Sequence, residues 1–149
     1  MSKYTIKEFD EFRNITYYKN KSESDDNPIM IYIGKRKNNK LFLRVIFKYL
    51  GDDWLFVDSL SVSVDGKIYG PFTGKFERDH SSGRVWEWID ISVNKVGYEL
   101  LNKIFTSQRS VIRFDGSKYY RDQKIDSNNK RLIKEMIYAY RDLGGKDIN

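Results

Sequence analysis

The sequence predicts a mainly β fold of the α+β class: an antiparallel β-sandwich or a twisted meander with two helices packed on it. Short runs of alternating apolar residues separated by turns fill most of residues 29–92. Asp-Gly pairs at 65–66 and 115–116 stand between strand-like runs, which is typical of two-residue hairpin turns. Helical spacing follows only near 94–106 and 127–143, so the regular alternation of a parallel α/β sheet is not expected.

The first 28 residues give two patterns. Ile6, Phe9, Phe12 and Ile15 have the spacing of a helix, whereas Ile15 and its neighbours suit a strand. Residues 19–28 (KNKSESDDNP) have no period and are expected to be a mobile polar loop. The loop is too short to link domains, so residues 1–149 are predicted to form one domain.

The central part of the chain predicts a series of antiparallel strands. Residues 29–33 and 41–50 are expected to pair across a turn at 34–40, and residues 54–64 to form one long strand. The Asp65-Gly66 turn returns the chain through residues 67–69 to Gly70-Pro71, where the strand should bend or lie at a sheet edge. The later segments are a resumed strand at 72–78, a polar loop tip at 79–83 and a strand at 84–92.

The last third predicts a helix, a hairpin and a second helix. Asn94 or Ser92 is expected to cap the helix that runs to about residue 106. A turn centred on Asp115-Gly116 would place Phe114 opposite Ser117 and would put three residues on the core side: Ile112, Phe114 and Tyr119. The final helix, at 127–143, has one apolar stripe and ends at a Gly-Gly pair.

Composition excludes several classes of site. The chain has no cysteine, which removes disulfides, thiolate nucleophiles and zinc-thiolate sites. No apolar leader opens the sequence and no run is long enough to span a membrane, so we expect a cytoplasmic protein. Lys, Asn, Ile and Tyr make up over a third of the residues, a bias typical of AT-rich bacterial or phage genomes.

The net charge of +6 is unevenly distributed. Residues 34–48 contain six bases and no acid, and residues 109–146 contain ten bases and five acids. These two basic clusters could form one patch for nucleic acid if they meet in space. The lysine excess also follows from codon bias alone, so charge by itself does not assign a function.

The sequence contains no recognisable catalytic, metal or cofactor site. His80, the single histidine, lies in a polar loop with no partner at triad spacing. Asp52 and Asp53 are more typical of a turn than of a metal site, and the remaining acids are scattered over strands. We therefore predict no cofactor. An enzyme with an unrecognised acid-based site is kept as an alternative, ranked third after the two binding functions described below.

Two groups of residues are candidates for a binding surface. Arg84, Trp86 and Trp88 share one face of a strand, where guanidinium and indole groups suit recognition unless a helix covers them. The second group combines bases with a tyrosine at the closing hairpin and could equally be a solvated surface: Arg113, Lys118, Tyr120 and Arg121.

Four segments (WLFVDSL, WEWIDIS, VIRFDGSKYY and KRLIKEMIYAYRDLG) resemble a group of small bacterial proteins of unassigned function, over about residues 41–144. The resemblance implies one β-rich domain and no activity.

The leading hypothesis is a non-enzymatic protein that binds another macromolecule, with a protein partner. The second hypothesis is a nucleic-acid-binding module that uses the basic clusters at 34–48 and 109–146.

Overall fold

A computed structural model describes residues 3–148 of the chain and contains strands arranged in two antiparallel sheets, with two helices. The helices are α1 (Lys95–Thr106) and α2 (Ser127–Asp142). The strands are β1 (Thr5–Asp10), β2 (Ile15–Asn20), β3 (Ile29–Arg36), β4 (Leu41–Gly51), β5 (Ser59–Val64), β6 (Lys67–Thr73), β7 (Glu77–Ser81), β8 (Arg84–Ser92), β9 (Ser110–Asp115) and β10 (Tyr120–Lys124). The predicted mainly β, α+β class is confirmed.

The strands divide between a large and a small sheet. The large sheet has six strands in the order β1-β2-β3-β4-β8-β7, and the small sheet has four in the order β10-β9-β5-β6. Every pairing in both sheets is antiparallel. Residues 5–20, which lie in the part that gave both a helical and a strand pattern, therefore form the edge hairpin β1–β2. Since β2 runs to Asn20, the polar loop begins at residue 21.

One face of the large sheet packs on the small sheet, and we call it the inner face. Alternate residues of β4 are almost fully buried there, and the Phe47 ring stacks 6.4 Å from Phe72 of β6. Tyr49 meets Phe114 of β9 edge to face at 5.8 Å. Apolar burial between the two sheets therefore contributes to folding.

Helix α2 covers the inner face where β2 and β3 meet the loop. Asp126 caps the helix by accepting a bond from the Asn129 N–H at 2.7 Å. The fully buried Asn129 side chain also accepts from the Ile29 N–H at 3.2 Å and donates to the Ile29 carbonyl at 2.9 Å. Asn20 donates to Glu135 at 3.1 Å. The helix is therefore fixed at the end of the strands that carries Asn20 and Ile29.

The first Asp-Gly turn forms as predicted. Val64 pairs with Lys67, and the two residues between them have positive φ angles, 47° at Asp65 and 90° at Gly66. The Asp65 carboxylate also accepts bonds from the backbone N–H groups of Gln108 and Arg109. At this position the Asp-Gly pair therefore predicts the turn correctly.

The predicted long strand at 54–64 is wrong in its first half. Only Ser59–Val64 joins the small sheet, while Phe56 has a φ of 55° and interrupts the extended chain. The backbone N–H groups of residues 55–57 donate to the carboxylate of Glu87 on β8 instead of to a neighbouring strand. The buried Glu87 carboxylate thus accepts the backbone hydrogen bonds that a neighbouring strand would otherwise accept.

The chain between 72 and 83 changes sheets, which the sequence did not predict. Strand β6 ends at Thr73 on the edge of the small sheet, as expected for a strand that contains Gly70-Pro71. The predicted strand 72–78 breaks there, and the predicted loop tip 79–83 is mostly strand β7, which pairs with β8 in the large sheet. Ser82 and Gly83 alone make the turn, because both have positive φ.

The closing hairpin has a different register from the predicted one. Tyr120 pairs with Asp115 and Arg121 with Phe114, so residues 116–119 form the loop. Neither Asp115 nor Gly116 is among the residues with positive φ in the described chain. A Cβ atom at Gly116 would overlap the carbonyl oxygen of Leu55. Glycine is therefore required here for close backbone approach rather than for a two-residue turn.

Replacing Gly116 with alanine is expected to lower the free energy of unfolding by about 1–3 kcal/mol, because the methyl group meets a backbone atom that has little room to move. The matched control is Gly97→Ala in α1, where the new Cβ would lie 3.5 Å from its nearest neighbour. Alanine favours helix there by up to about 1 kcal/mol. Urea denaturation of both variants measures the difference, and a neutral Gly116→Ala would contradict the close contact.

Candidate functional site

The candidate site is the outer face of the large sheet, opposite the face that holds the helices and the small sheet. The strand register places Trp88 beside Lys48, and Arg44 beside Tyr32. Aromatic residues on this face occur on four adjacent strands, and all are half-buried: Tyr17, Tyr32, Phe42, Trp86 and Trp88. The two tryptophans therefore lie at the surface, as the binding-surface prediction requires, and not beneath a helix.

A first aromatic group lies near the turn between β3 and β4. The Phe42 ring covers Gly34, where any Cβ atom would overlap it. Tyr17 contacts both neighbours, with ring centroids 6.5 Å from Phe42 and 6.0 Å from Tyr32. The Arg36 guanidinium lies 4.7 Å from the Phe42 centroid. This packing holds the rings in place before any partner arrives.

An ion pair fixes the centre of the outer face. Arg44 donates from Nε to the Asp90 carboxylate at 2.7 Å, and the Tyr32 hydroxyl donates to the same carboxylate at 2.6 Å. Burial and the hydrogen bond to Asp90 raise the pKa of Tyr32 above its usual value. The hydroxyl therefore stays protonated and remains a donor at physiological pH.

The second aromatic group, on β8, lies beside the loop 21–28. The Lys48 ammonium is 5.8 Å from the Trp88 ring centroid and donates to the Asp25 carbonyl at 3.0 Å. Arg84 lies 3.8 Å from Asp26, a long contact between two exposed side chains. The loop thus bounds this end of the face with acidic side chains.

Acidic and basic residues of the outer face lie largely on different strands. By register, the edge strand β1 contributes Glu8 and Asp10, and the opposite edge strand β7 contributes Glu77 and Asp79. The bases lie on the central strands among the aromatic rings: Arg36, Arg44 and Lys48. The only acid that the described central strands place among them is Asp90, and it is already paired with Arg44. The centre is therefore aromatic and basic, and its margins are acidic.

The second predicted group lies on the small sheet and does not form one surface. Arg113 binds the Asp122 carboxylate through two hydrogen bonds, at 2.8 and 2.9 Å, with its guanidinium 3.9 Å from the Tyr120 ring centroid. These bonds lower the pKa of Asp122. Lys118 lies in the loop rather than opposite Arg113, and Arg121 pairs with Phe114 on the other side of the strand. The predicted position of Lys118 opposite Arg113 is wrong, because it depended on the two-residue turn, whereas Arg113 and Tyr120 do share one face of the hairpin.

The two basic clusters lie on different elements, and many bases of the second one are internally bonded. Besides Arg113, Arg131 pairs with Glu135 at 2.8 Å, and Lys130 donates to the carbonyls of Ser107 and Gln108. In the first cluster, by contrast, no ion pair within residues 3–148 includes Lys35, Lys37 or Lys40. The β3–β4 turn therefore carries three lysines whose charge no described acid pairs.

The candidate catalytic and metal-binding residues do not come together in one site within the described part of the chain. His80 lies on β7, edge-on to Trp54 at 6.0 Å between ring centroids. Among the described residues, no group of three or more His, Asp or Glu side chains could hold a metal ion. The sequence reasoning missed Tyr17, Tyr32 and Phe42. The alternation of residues 41–50 was a usable signal, because Phe42 follows the same face as Arg44 and Lys48.

Comparison of the chain with protein-family models, with curated proteins and with solved structures found no match. Within residues 3–148, no helix is both long and apolar enough to cross a membrane. The geometry of the outer face is therefore the basis for assigning a function.

Proposed function

We propose that the protein is a non-enzymatic, cytoplasmic binding module that recognises another protein through the outer face of the large sheet. Its partner presents apolar side chains accompanied by carboxylates. The observation that carries this proposal is the distribution of residues on the face, with aromatic rings and bases at the centre and acids on both edge strands.

The composition of the face suits protein recognition. Trp, Tyr and Arg dominate the residues that contribute most to binding at protein interfaces. Here all three types stand together on the outer face, at Trp86, Trp88, Tyr17 and Arg44. The contact of Tyr17 with Phe42 and the bond of Arg44 to Asp90 hold these two side chains in position, so less of their conformational entropy is lost when a partner binds.

The acidic margins favour a protein over a nucleic acid. A single strand carries a negative charge at every phosphate and depends on a basic path along its backbone. A strand crossing this face would pass Glu8 and Asp10 on one edge and Glu77 and Asp79 on the other. A protein partner can match the basic centre with its own acids and the acidic margins with bases.

The proposal is tested by selecting a library of displayed random peptides on the immobilised protein. Enriched peptides are expected to combine aromatic or aliphatic residues with Asp or Glu. Trp88→Ala and Trp86→Ala should each weaken binding of a selected peptide by about 2 kcal/mol, as truncation of a central interface aromatic does. Fluorescence anisotropy with the labelled peptide measures the affinities.

Ile68→Ala is the matched control, because Ile68 is 62% exposed on the small sheet, away from the outer face. It should leave the affinity unchanged. Two results would contradict the proposal: selected peptides without acidic residues that bind Trp88→Ala as well as the parent protein, or tight, salt-sensitive binding of an oligonucleotide that Trp88→Ala abolishes.

A further inference from the structure

A basic cavity opens on the inner face of the large sheet, at the end of β1–β3 that α2 leaves uncovered. Its volume is about 600 Å³. The register aligns Phe9, Thr16 and Lys35 across the three strands at this end. The bonds that fix α2 are at the other end of the same strands, at Asn20 and Ile29. The short reach of the helix therefore leaves a concave surface on the side away from the outer face.

The residues around this cavity include several bases and no acid. The bases are Lys7, Lys35 and Lys37; Arg36 also borders the cavity, but its guanidinium lies over Phe42 on the outer face. Among residues 3–148, none of the three lysines takes part in an ion pair or a side-chain hydrogen bond. Several unpaired ammonium groups on one concavity repel one another and attract an anion.

Asp10, at the end of β1, is already paired and does not neutralise the cavity. By register, Asp10 belongs to the outer face of β1, and its carboxylate binds Arg13 at 2.8 Å and also accepts from the N–H groups of Phe12 and Arg13. These bonds, with the Arg13 side chain foremost, lower the pKa of Asp10. Arg13 in turn lines a neighbouring cavity together with Arg36 and Lys37.

The cavity also offers aromatic and amide groups. Phe9, which is 59% exposed, and Tyr18 line it, so a flat ring has an apolar surface to lie against. Asn14 and Asn39, both with positive φ at the tips of the two turns, contribute amide groups. A cavity of this size accommodates a nucleotide-sized molecule.

We propose that this cavity binds a nucleoside phosphate, either as a free nucleotide or as one unit of a single strand. Lys7, Lys35 and Lys37 neutralise the phosphate, and the base lies against Phe9. Because the cavity is on the inner side of the sheet, it can be occupied while a protein partner covers the outer face.

The experiment is calorimetric titration of the full chain at low salt with ATP, inorganic phosphate and a short oligothymidylate. Saturable binding that weakens with added salt is expected for ATP, for the oligonucleotide or for both, and the stronger of the two identifies the source. Lys7→Gln combined with Lys35→Gln should weaken that binding by about tenfold or more. The matched control is Lys124→Gln, an exposed base on β10, which should not change it.

Three results would overturn the proposal. The first is no saturable binding of either nucleotide probe. The second is equal weakening by Lys124→Gln and by the Lys7/Lys35 double variant. The third is inorganic phosphate binding as tightly as ATP, which would remove any role for the nucleoside. Thermal unfolding of the variants, expected to match the parent because these lysines make no bonds, confirms that lost affinity is not lost folding.

Discussion

Replacing Glu87 with alanine is expected to lower the free energy of unfolding by about 3–5 kcal/mol, the cost of breaking a buried charged network. The Glu87 side chain has no exposed surface. Its carboxylate accepts bonds from the N–H groups of Leu55 at 2.7 Å, Phe56 at 3.0 Å and Val57 at 2.7 Å, and from Nε of Arg78 at 2.9 Å. Alanine would leave these backbone donors without their acceptor and Arg78 without its counterion.

Urea denaturation followed by circular dichroism measures this loss. Glu77→Ala is the matched control, since Glu77 is an exposed acid on the adjacent strand β7 and its removal should change stability by less than about 0.5 kcal/mol. Glu87→Gln should fall between the two, because the amide keeps one acceptor oxygen but turns an NH₂ group toward N–H donors. If Glu87→Ala is no less stable than Glu77→Ala, the carboxylate does not hold residues 55–57.

The position of Glu87 in the sequence is unusual, but its role is not predictable from the sequence alone. The residue interrupts the apolar alternation of Val85, Ile89 and Ile91, which marks it as unusual within a strand. Its partners are about 30 residues earlier, in a segment whose own pattern is typical of a strand. No local sequence pattern indicates that these two segments meet. The first half of the predicted strand at 54–64 was therefore wrong because residues 55–57 bind Glu87, a contact that exists only in the folded chain.

Elements determined by adjacent residues were predictable. The strand at 84–92, the helix capped by Asn94 and the Asp65-Gly66 turn each have complete local signals, and the structure contains them at those positions. The transfer of β7 to the large sheet was not predictable, because it follows from which neighbour is available and not from the composition of residues 77–81. Pairing partners are tertiary choices that override local patterns.

For the candidate site, too, the part that lies within one strand was predictable from the sequence, and the part that depends on strand order was not. Arg84, Trp86 and Trp88 share one face by alternation within one strand, and the structure places all three on the outer face. Tyr17 and Tyr32 become part of the same surface only through the order β2-β3-β4-β8, which brings distant segments side by side. Because the outer face is built across four strands, the sequence alone indicates only the part of it that lies on a single strand.

Replacing Phe114 with alanine is expected to cost about 3–5 kcal/mol of folding free energy, whereas Tyr119→Ala should cost less than about 1 kcal/mol. Phe114 is 1% exposed and contacts Tyr49 between the two sheets. Tyr119 is 66% exposed in the loop, and its ring centroid lies 5.9 Å from the Arg121 guanidinium. Only a weak surface contact is therefore lost on truncation of Tyr119.

This pair of variants distinguishes the observed hairpin register from the one that the Asp-Gly pair predicts. With a two-residue turn, Tyr119 would lie opposite Ile112 and share the buried face with Phe114, so both truncations would be costly. With the loop at 116–119, Gln123 lies opposite Ile112 instead. Of the two residues that the variants truncate, Phe114 is then buried and Tyr119 is exposed. Urea denaturation midpoints of the two variants decide between the registers. A large loss for Tyr119→Ala would mean that Gly116 makes the two-residue turn and that the close approach of Gly116 to Leu55 does not form.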